Sequence, residues 1–293
     1  MTRLVVDGVG LETRALGGGP PVLLLHGFTG RGTSWGRLPA TLRRDGHRTI
    51  VVDLLGHGRS DAPPDPARYA VEQQAADLVA LLDRLDARPA DLVGYSMGAR
   101  IALRIAIDHP SAVGRLLLES PSPGIAEPAV RYDRRAADEA TAVTIERDGV
   151  EAFVDAWEGL PILATQPTLP AATRRRLRAD RLRNRAVGLA ASLRGAGQGT
   201  AEPVHDRLGS IAVPTLVVAG RLDRVGSDRA AVVADSIPGA RLEIVDGAGH
   251  APHLERPASF RRLVSSFLDP VAAWPADRSG VSRPAAIHRG SPA

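Results

Sequence analysis

The sequence predicts an α/β fold with a mostly parallel sheet, helices on both faces and an inserted helical cap. Three observations carry this prediction. Hydrophobic residues make up 44% of the 293 residues and charged residues 24%, which is enough apolar material for a sizeable core. Short apolar runs alternate with helical patterns along the chain, and one long polar stretch of helical character interrupts that alternation.

Six apolar runs rich in Val, Ile and Leu have the length of strands and end near Gly, Asp or Ser. They are continuous rather than alternating, which is typical of strands buried on both faces of a parallel sheet. The runs are Val22–Leu25, Thr49–Asp53, Asp91–Val93, Leu116–Leu118, Thr215–Ala219 and Leu242–Val245. Helical patterns between them include Ala70–Leu85, Gly98–Asp108 and Arg229–Ser236. Ahead of the first run, Arg3–Leu16 alternates around Gly8 and predicts an antiparallel hairpin at the sheet edge.

Between about residue 125 and about residue 206 the chain is polar and helix-like, with no apolar run of strand length. The helical stretches there are Val130–Arg147, Val150–Trp157, Ala171–Arg183 and Ala186–Leu193. We therefore divide the chain into a first core part, 1–124, a helical cap, 125–206, a second core part, 207–270, and a tail, 271–293, which we expect to be disordered.

The composition excludes several classes of chemistry. All 37 basic residues are Arg, because the sequence contains no Lys, and it contains no Cys either. The absence of Lys excludes Schiff-base chemistry and a P-loop lysine, and the absence of Cys excludes a thiol nucleophile, disulfides and a Cys-based zinc site. The net charge of +4 gives no reason to expect a nucleic-acid partner. With no signal peptide and no membrane span in the sequence, we expect a cytoplasmic monomer or small homo-oligomer.

Ser96 lies in the segment GYSMG, a G-x-S-x-G motif between an apolar run and a predicted helix. The glycines permit a tight strand-to-helix turn that lifts the serine hydroxyl onto its tip, and the helix N-terminus beneath favours developing negative charge. Gly and Ser are common, so the motif alone is weak. The strand–turn–helix context is, however, the one that a nucleophile elbow requires, and we interpret Ser96 as catalytic.

Two backbone amides are candidates for an oxyanion hole. One is the N–H of Met97, the residue after the serine, and the other is the N–H of Phe28 in the loop HGF after the first apolar run. Taken alone, that loop could equally be a simple strand-ending turn. His57 follows the next run, but the chain order of such a triad argues against catalysis, and we assign it to a structural loop.

In a fold with this elbow the catalytic residues must follow the order Ser, acid, His. Asp223 comes directly after the fifth apolar run, where carboxylates point into the crevice of an open α/β sheet. A turn-capping role is its alternative, and Asp228 is a competitor. His250 lies in the flexible segment DGAGHAPHLERP, whereas its rival His253 is expected to face the start of the last helix. The predicted triad is therefore Ser96, Asp223 and His250, with Asp223 orienting the histidine that removes the serine proton.

The chain resembles the α/β-hydrolase family over about residues 20–270, in the segments HGFTG, DLLGHGRSD, GYSMGAR, GRLDR and GAGHAPHLERP. A finer resemblance is to the 2-succinyl-6-hydroxy-2,4-cyclohexadiene-1-carboxylate synthases of menaquinone biosynthesis. It rests on GYSMGAR, LLLESPSPGI, RYDRRAADE, WEGLPIL with Gln166, and RNRAVGLAASLRGAGQG. Plain esterases share the first of these segments but not the cap sequence.

The finer resemblance implies a lyase. Members of that family remove a ring proton from 2-succinyl-5-enolpyruvyl-6-hydroxy-3-cyclohexene-1-carboxylate and expel pyruvate, with no metal or cofactor implied. Ser96, activated by His250, would then act as the base, and the amides of Phe28 and Met97 would hold an enolate. The oxyanion hole of a hydrolase can hold an enolate, because an enolate and a tetrahedral intermediate both place charge on a former carbonyl oxygen.

A small-molecule polycarboxylate substrate calls for several guanidinium groups, since Arg pairs bidentately with carboxylates and stays charged. Arg100 lies about one helical turn beyond Ser96 and matches the arginine of the family's GYSxGxR pattern. Most arginines of the run 174–178, in contrast, are expected to form a solvated helix face.

Four cap and elbow residues complete the binding site that the resemblance implies. Arg134 and Arg181 match arginines of the family's cap, with Arg183 as a close rival of Arg181. Tyr95 and Trp157 match aromatic positions that line the family's pocket.

The chain departs from the family pattern in three places, which put the fine substrate fit in doubt. They are Glu158 in place of a Tyr, Arg224–Ser227 without the usual Lys-Phe, and Pro203–His205 in place of Pro-x-Trp. Two other classes of protein remain as alternatives. One is a hydrolase of ester or carbon–carbon bonds with the same triad, and the other is a non-catalytic binding module, which would not need all three triad members.

Overall fold

The computed structural model describes residues 2–269, so the tail predicted over 271–293 lies outside the described residues. The strands are β1 Thr2–Val6, β2 Val9–Leu16, β3 Pro21–Leu25, β4 Arg48–Val52, β5 Ala90–Tyr95, β6 Val113–Glu119, β7 Thr215–Gly220 and β8 Arg241–Val245. The α-helices are α1 Leu38–Arg44, α2 Val71–Arg84, α3 Met97–Asp108, α4 Pro128–Glu158, α5 Ala171–Arg181, α6 Ala186–Ala196, α7 Arg224–Ser236, α8 Pro252–Glu255 and α9 Pro257–Leu268.

The eight strands form a single sheet in the order β1-β2-β4-β3-β5-β6-β7-β8. β1 and β2 pair antiparallel as the predicted edge hairpin, and β2 pairs antiparallel with β4. Every pairing from β4 to β8 is parallel. The predicted α/β fold with a mostly parallel sheet is therefore confirmed.

The central strands are buried on both faces, as their unbroken apolar runs predicted. In β3, Leu23 and Leu25 face a core shared with α2, α3 and α7, while Val22 and Leu24 face a second core shared with α1 and α9. This alternation follows from the pleat, which points successive side chains to opposite faces of a strand. Helices thus cover both faces of the sheet.

The parallel register brings the carboxyl ends of six strands, β3 to β8, to one edge of the sheet. Leu25 of β3 lies opposite Gly94 of β5, Tyr95 lies opposite Glu119 of β6, and Gly220 of β7 lies opposite Val245 of β8. Loops that leave these ends meet in space even though they lie far apart along the chain. Ligands of open α/β sheets bind at this edge.

Between β6 and β7 the described chain contains α4, α5 and α6 and no strand. α4 contains both stretches predicted as separate helices, joined across Gly149, whose φ of 83° is non-helical. α4 and α6 bury a small apolar cluster of their own, against which Phe28 and Trp157 pack. The cap boundaries at 125 and 206 stay a prediction. Within residues 2–269, no helix combines the length and the hydropathy needed to cross a membrane.

The first turn of α3 lies directly against the end of β3. A Cβ on Gly98 would lie 2.1 Å from the carbonyl oxygen of Leu25 and 2.7 Å from that of His26. A Cβ on Gly94 would lie 2.6 Å from the carbonyl oxygen of Gly98. Only residues without a Cβ permit these approaches, so Gly98 sets the distance between α3 and β3, and Gly94 the distance between α3 and β5.

Gly98→Ala is expected to lower the free energy of unfolding by about 1–3 kcal/mol, because the new methyl group overlaps backbone that cannot move without distorting β3. Gly18→Ala is the matched control, because a Cβ there meets nothing within 4 Å, and its effect should stay within about 0.5 kcal/mol. Urea unfolding followed by circular dichroism measures both. Equal midpoints for the two variants would show that α3 is free to move away from β3.

Candidate active site

Ser96 lies between β5 and α3 in a backbone conformation that L-residues rarely adopt, with φ 51° and ψ −106°. The strain is held on both sides of the residue. The Ser96 N–H donates to the carbonyl of Glu119 at 2.9 Å, and the Ser96 carbonyl accepts the N–H of Arg100 at 3.1 Å. Strained backbone that the surrounding structure fixes in this way is a mark of functional sites. The turn directs the serine side chain away from the sheet and toward the loop that follows β8.

The structure brings the three predicted triad residues together. His250 Nε2 lies 3.1 Å from Ser96 Oγ, and His250 Nδ1 lies 2.7 Å from Asp223 Oδ2. Asp223 is acceptor-only when ionised, so Nδ1 carries the proton and Nε2 is free to accept the serine hydroxyl. This is the tautomer in which histidine acts as a base toward serine.

Asp223 serves the site and the fold together. Its Oδ1 accepts the N–H of Gly226 at 2.9 Å and caps α7, which starts at Arg224, five residues before the predicted start of this helix. Burial works to raise the pKa of Asp223, but the hydrogen bonds from His250 and Gly226 and the charges of His250 and Arg229 hold it below its ordinary value. The two roles considered for Asp223 are therefore compatible, because one oxygen caps α7 and the other binds His250.

The rival residues lie elsewhere. His253 is buried, and its ring Nδ1 and backbone N–H both lie against Glu119 Oε1, at 2.9 and 2.7 Å. Asp228 is on the exposed face of α7. His57 is fully buried with its Nδ1 3.0 Å from the carbonyl of Leu55, and burial lowers its pKa to about 3. It is a neutral structural residue, as predicted.

His26 shapes the loop that carries the candidate amide of Phe28. Burial lowers the pKa of His26 to about 4, so the ring is neutral. Its Nδ1 donates to the carbonyl of Gly27 at 2.8 Å and its Nε2 accepts the N–H of Leu54 at 2.9 Å. A Cβ on Gly27 would lie 3.4 Å from Cβ of Ser96, so this loop passes directly beside the serine.

The second candidate amide, of Met97, is the first of α3. The first amides of a helix have no intrahelical acceptor and carry the positive end of the helix dipole. The Met97 amide and the Phe28 amide thus flank the serine from α3 and from the β3 loop. Their joint role as an oxyanion hole is argued below.

Two residues that sequence reasoning missed hold His250 in place. The carboxylate of Glu255 accepts the N–H groups of Gly249 and Ala251, which flank the histidine on either side. Ser120 Oγ donates to the carbonyl of His250 at 2.8 Å. Glu255 belongs to the segment GAGHAPHLERP, but only the fold shows that its side chain turns back onto the backbone around His250.

A cavity of about 560 Å3 opens above the serine. It is lined by every predicted site residue except Asp223, namely Phe28, Tyr95, Ser96, Met97, Arg100, Arg134, Trp157, Arg181 and His250. Asp223 lines an adjoining cavity of about 470 Å3. The aromatic wall is continuous, since the Trp157 ring lies 5.3 Å from that of Phe28 and the Tyr95 ring 5.5 Å from that of His250.

Arg100 and Arg134 form a cationic corner of this cavity. Burial lowers the pKa of Arg100 to about 10, the neighbouring charge of Arg134 lowers it as well, and Asp138 opposes them. Arg100 donates to the carbonyl of Ala196 at 2.7 Å, and Arg134 pairs with Asp138 at 2.8 Å. Arg134 is therefore paired with a carboxylate, whereas within the described chain the guanidinium of Arg100 is bound only by a neutral carbonyl and leaves positive charge at the cavity.

Arg181 has different surroundings. It is buried and lines the cavity, whereas its rival Arg183 is exposed. Its guanidinium donates to Glu158 at 2.7 Å and to Gln166 Oε1 at 2.6 Å. The departure at Glu158 therefore has a structural consequence, because this carboxylate neutralises an arginine that the sequence assigned to the substrate.

A serine polarised by a His–Asp pair at the edge of a cationic cavity can remove a proton or attack a carbonyl. Comparison with known proteins identifies the family. A family model described as the alpha/beta hydrolase fold matches residues 20–257.

Three relatives illustrate the likeness. A Bacillus subtilis (strain 168) protein, provisionally named 2-succinyl-6-hydroxy-2,4-cyclohexadiene-1-carboxylate synthase, is 40% identical over 85% of this chain and 90% of its own length. The enzyme of that name from Salmonella paratyphi C (strain RKS4594) is 30% identical over 86% of this chain and 94% of its own length. The solved structure of MenH from S. aureus is 31% identical, with a TM-score of 0.84 over 87% of this chain and 97% of that one.

Glu255→Gln should loosen His250, because the amide keeps one acceptor and turns an N–H2 group toward the other backbone N–H. We expect the downfield proton resonance of His250 Nδ1–H to broaden or shift in 1H NMR spectra. Any turnover that uses the triad should fall about tenfold in kcat, which corresponds to about 1.4 kcal/mol. Glu127→Gln on the exposed start of α4 is the matched control. An unchanged resonance with normal kcat would remove this positioning role from Glu255.

Proposed function

The chain belongs to the α/β-hydrolase family, and from that membership we propose that it is a carbon–oxygen lyase of menaquinone biosynthesis. Its substrate would be 2-succinyl-5-enolpyruvyl-6-hydroxy-3-cyclohexene-1-carboxylate, from which it eliminates pyruvate to give 2-succinyl-6-hydroxy-2,4-cyclohexadiene-1-carboxylate. The likeness to the Bacillus subtilis and Salmonella proteins supports this reaction.

One observation carries the proposal, namely that a Ser–His–Asp arrangement opens onto a cavity with uncompensated cationic charge. Ser96 and His250 line the same cavity as Arg100 and Arg134. The substrate carries several carboxylates, and removing a partly buried guanidinium from water is costly unless an anion compensates it. A polycarboxylate is the ligand class that this cavity favours.

The first step is proton removal from the ring. Ser96 Oγ takes the ring proton while its own hydroxyl proton passes to His250 Nε2, and Asp223 stabilises the imidazolium through Nδ1–H. The electron pair of the broken C–H bond moves toward the succinyl carbonyl and forms an enolate. The amides of Phe28 and Met97 donate to that enolate oxygen.

The second step expels the leaving group. The enolate electrons return to form the ring double bond, and the carbon–oxygen bond to the enolpyruvyl group breaks. The departing enolate of pyruvate takes up the proton held on the serine–histidine pair and tautomerises to pyruvate. The proton balance closes with no additional reactant, and Ser96 is returned to its resting state.

The arginines divide into two kinds in this scheme. Arg100 and Arg134 offer net positive charge to a substrate carboxylate. Arg181 is paired with Glu158, so it contributes a hydrogen-bonded wall rather than a free cation. Trp157 and Phe28 supply the apolar surface against which the six-membered ring packs.

The lyase proposal predicts pyruvate release that depends on Ser96. Purified protein given the enolpyruvyl cyclohexene should form pyruvate without added metal or cofactor, measured by coupling to lactate dehydrogenase. Ser96→Ala should lower kcat by about 10³-fold or more, because no base remains near the ring proton. Its thermal unfolding should change little, because the hydroxyl faces the cavity.

A hydrolase with the same triad gives the opposite pattern. It would release little pyruvate but would show a burst of 4-nitrophenol from an activated ester, as an acyl-enzyme accumulates on Ser96. That result, together with pyruvate formation no faster than in buffer, would replace the lyase assignment with an esterase.

Arg100→Ala should lower kcat/KM for the same substrate by about ten- to a hundredfold, the value of one charge-assisted hydrogen bond. Arg100→Lys should recover only part of it, since an ammonium cannot grip both carboxylate oxygens. Arg175→Ala, on the exposed face of α5, should have almost no effect. A lower melting temperature of Arg100→Ala with normal activity per folded molecule would contradict this role. Arg100 would then stabilise the fold through its bond to Ala196 and would not bind the substrate.

A further inference from the structure

The cavity beside Asp223 is a second chamber of the active site. It measures about 470 Å3 and shares Ser96 and His250 with the main cavity, so the reacting pair stands on the boundary between the two. Its remaining walls come from the end of β6, the start of α7 and the segment between α4 and α5. The roles of the triad and the cap arginines leave this volume unused.

Arg229 is an arginine of the second chamber that has no direct partner among the described residues. It lies on α7, is partly buried and lines both chambers. The other cavity arginines have partners, since Arg134 pairs with Asp138, Arg181 with Glu158, and Arg100 bonds to a carbonyl. Within residues 2–269 Arg229 has neither an ion pair nor a hydrogen bond. Its charge acts through space on Asp223, whose oxygens already bind His250 and Gly226.

The chamber therefore carries excess positive charge. Its cations are Arg100, Arg224 and Arg229, and its one lining carboxylate is Asp223, which is committed to the triad. Ser122 and Gln198 add neutral polar groups. The rest of the lining is largely apolar, so the arginines are the groups that call for an anionic ligand.

Elimination divides the substrate into two anionic fragments, and two chambers meet at the Ser96–His250 pair. We propose that the second chamber binds the enolpyruvyl arm and, after cleavage, pyruvate, with Arg229 as the partner of its carboxylate. This assignment rests on the proposed lyase function. The ring and its succinyl arm then stay in the main cavity beside Arg100 and Arg134.

The charge arrangement also separates the two products. When the carbon–oxygen bond breaks, the small anion is held by Arg229 and the large one by Arg100 and Arg134. Carboxylate–guanidinium pairing on each side opposes recombination of the fragments, because each anion keeps its own partner.

The test uses pyruvate and succinate as probes of the two arms. Their dissociation constants are measured by ligand-observed NMR on Ser96→Ala protein, which needs no turnover. Arg229→Ala in that background should weaken pyruvate binding about ten- to a hundredfold and leave succinate unchanged, while Arg229→Lys should restore part of the loss. Arg134→Ala, which removes an arginine that lines the main cavity alone, should show the reverse preference. Arg84→Ala, an exposed arginine on α2 that lines neither chamber, is the matched control.

The outcomes separate this inference from the function on which it rests. Pyruvate binding that is insensitive to Arg229, in protein that does release pyruvate from the cyclohexene, overturns the chamber assignment and keeps the lyase. Competition between pyruvate and succinate, with both lost in Arg134→Ala, also overturns it, because one site would then bind both arms. Arg229-dependent binding of pyruvate in protein that releases none would support a carboxylate chamber and reject the lyase.

Discussion

The close approach of α3 to the end of β3 is the constraint on which the site depends. Gly98 lies against the carbonyls of Leu25 and His26, at distances that no side chain tolerates. This contact places the first amide of α3 beside the loop that follows β3, and it fixes the tip of the turn where Ser96 sits. The positions of Ser96 and of the Met97 amide therefore depend on one backbone contact between a helix and a strand. The strain at Ser96, with φ 51°, is the cost of that geometry, and the hydrogen bonds of β5, β6 and α3 around it keep it in place.

Buried carboxylates perform the positioning around this contact. Asp223 orients the ring of His250, and Glu255 fixes the backbone on either side of it. Glu119 binds His253 on the neighbouring strand end, which keeps the second imidazole away from Ser96. Because buried polar groups are costly without partners, these bonds favour the arrangement of the histidine loop that the structure shows. A fixed position matters for a base that must meet the substrate proton within hydrogen-bond reach.

The arginines of the cavity show how charge is distributed against this rigid frame. In a chain without Lys, every permanent cation is a guanidinium, and the cavity neutralises some of them and leaves others free. Arg181 is bound by Glu158 and Gln166 and Arg134 by Asp138, whereas Arg100 bonds to a neutral carbonyl and Arg229 contacts no anion directly in the part of the chain that the structure describes. Arg100 and Arg229 line both cavities that meet at the Ser96–His250 pair. Such a distribution suits a substrate with more than one anionic group.

The sequence by itself determined the sheet, the helices on its faces, the elbow and the order of the triad, because these depend on local signals. Apolar runs marked the buried strands, glycines marked the turn, and motif spacing placed Ser96, Asp223 and His250 at strand ends. The loop sequence favoured His250 over His253, but only the tertiary structure shows which imidazole lies beside Ser96 and which of Arg181 and Arg183 lines the cavity, because both depend on side-chain direction. It alone revealed the Glu158–Arg181 pair and the Glu255 contacts. The sequence shows which charged residues are present. Which of them pair depends on packing, because packing brings residues that are distant in the chain within a few ångströms of one another.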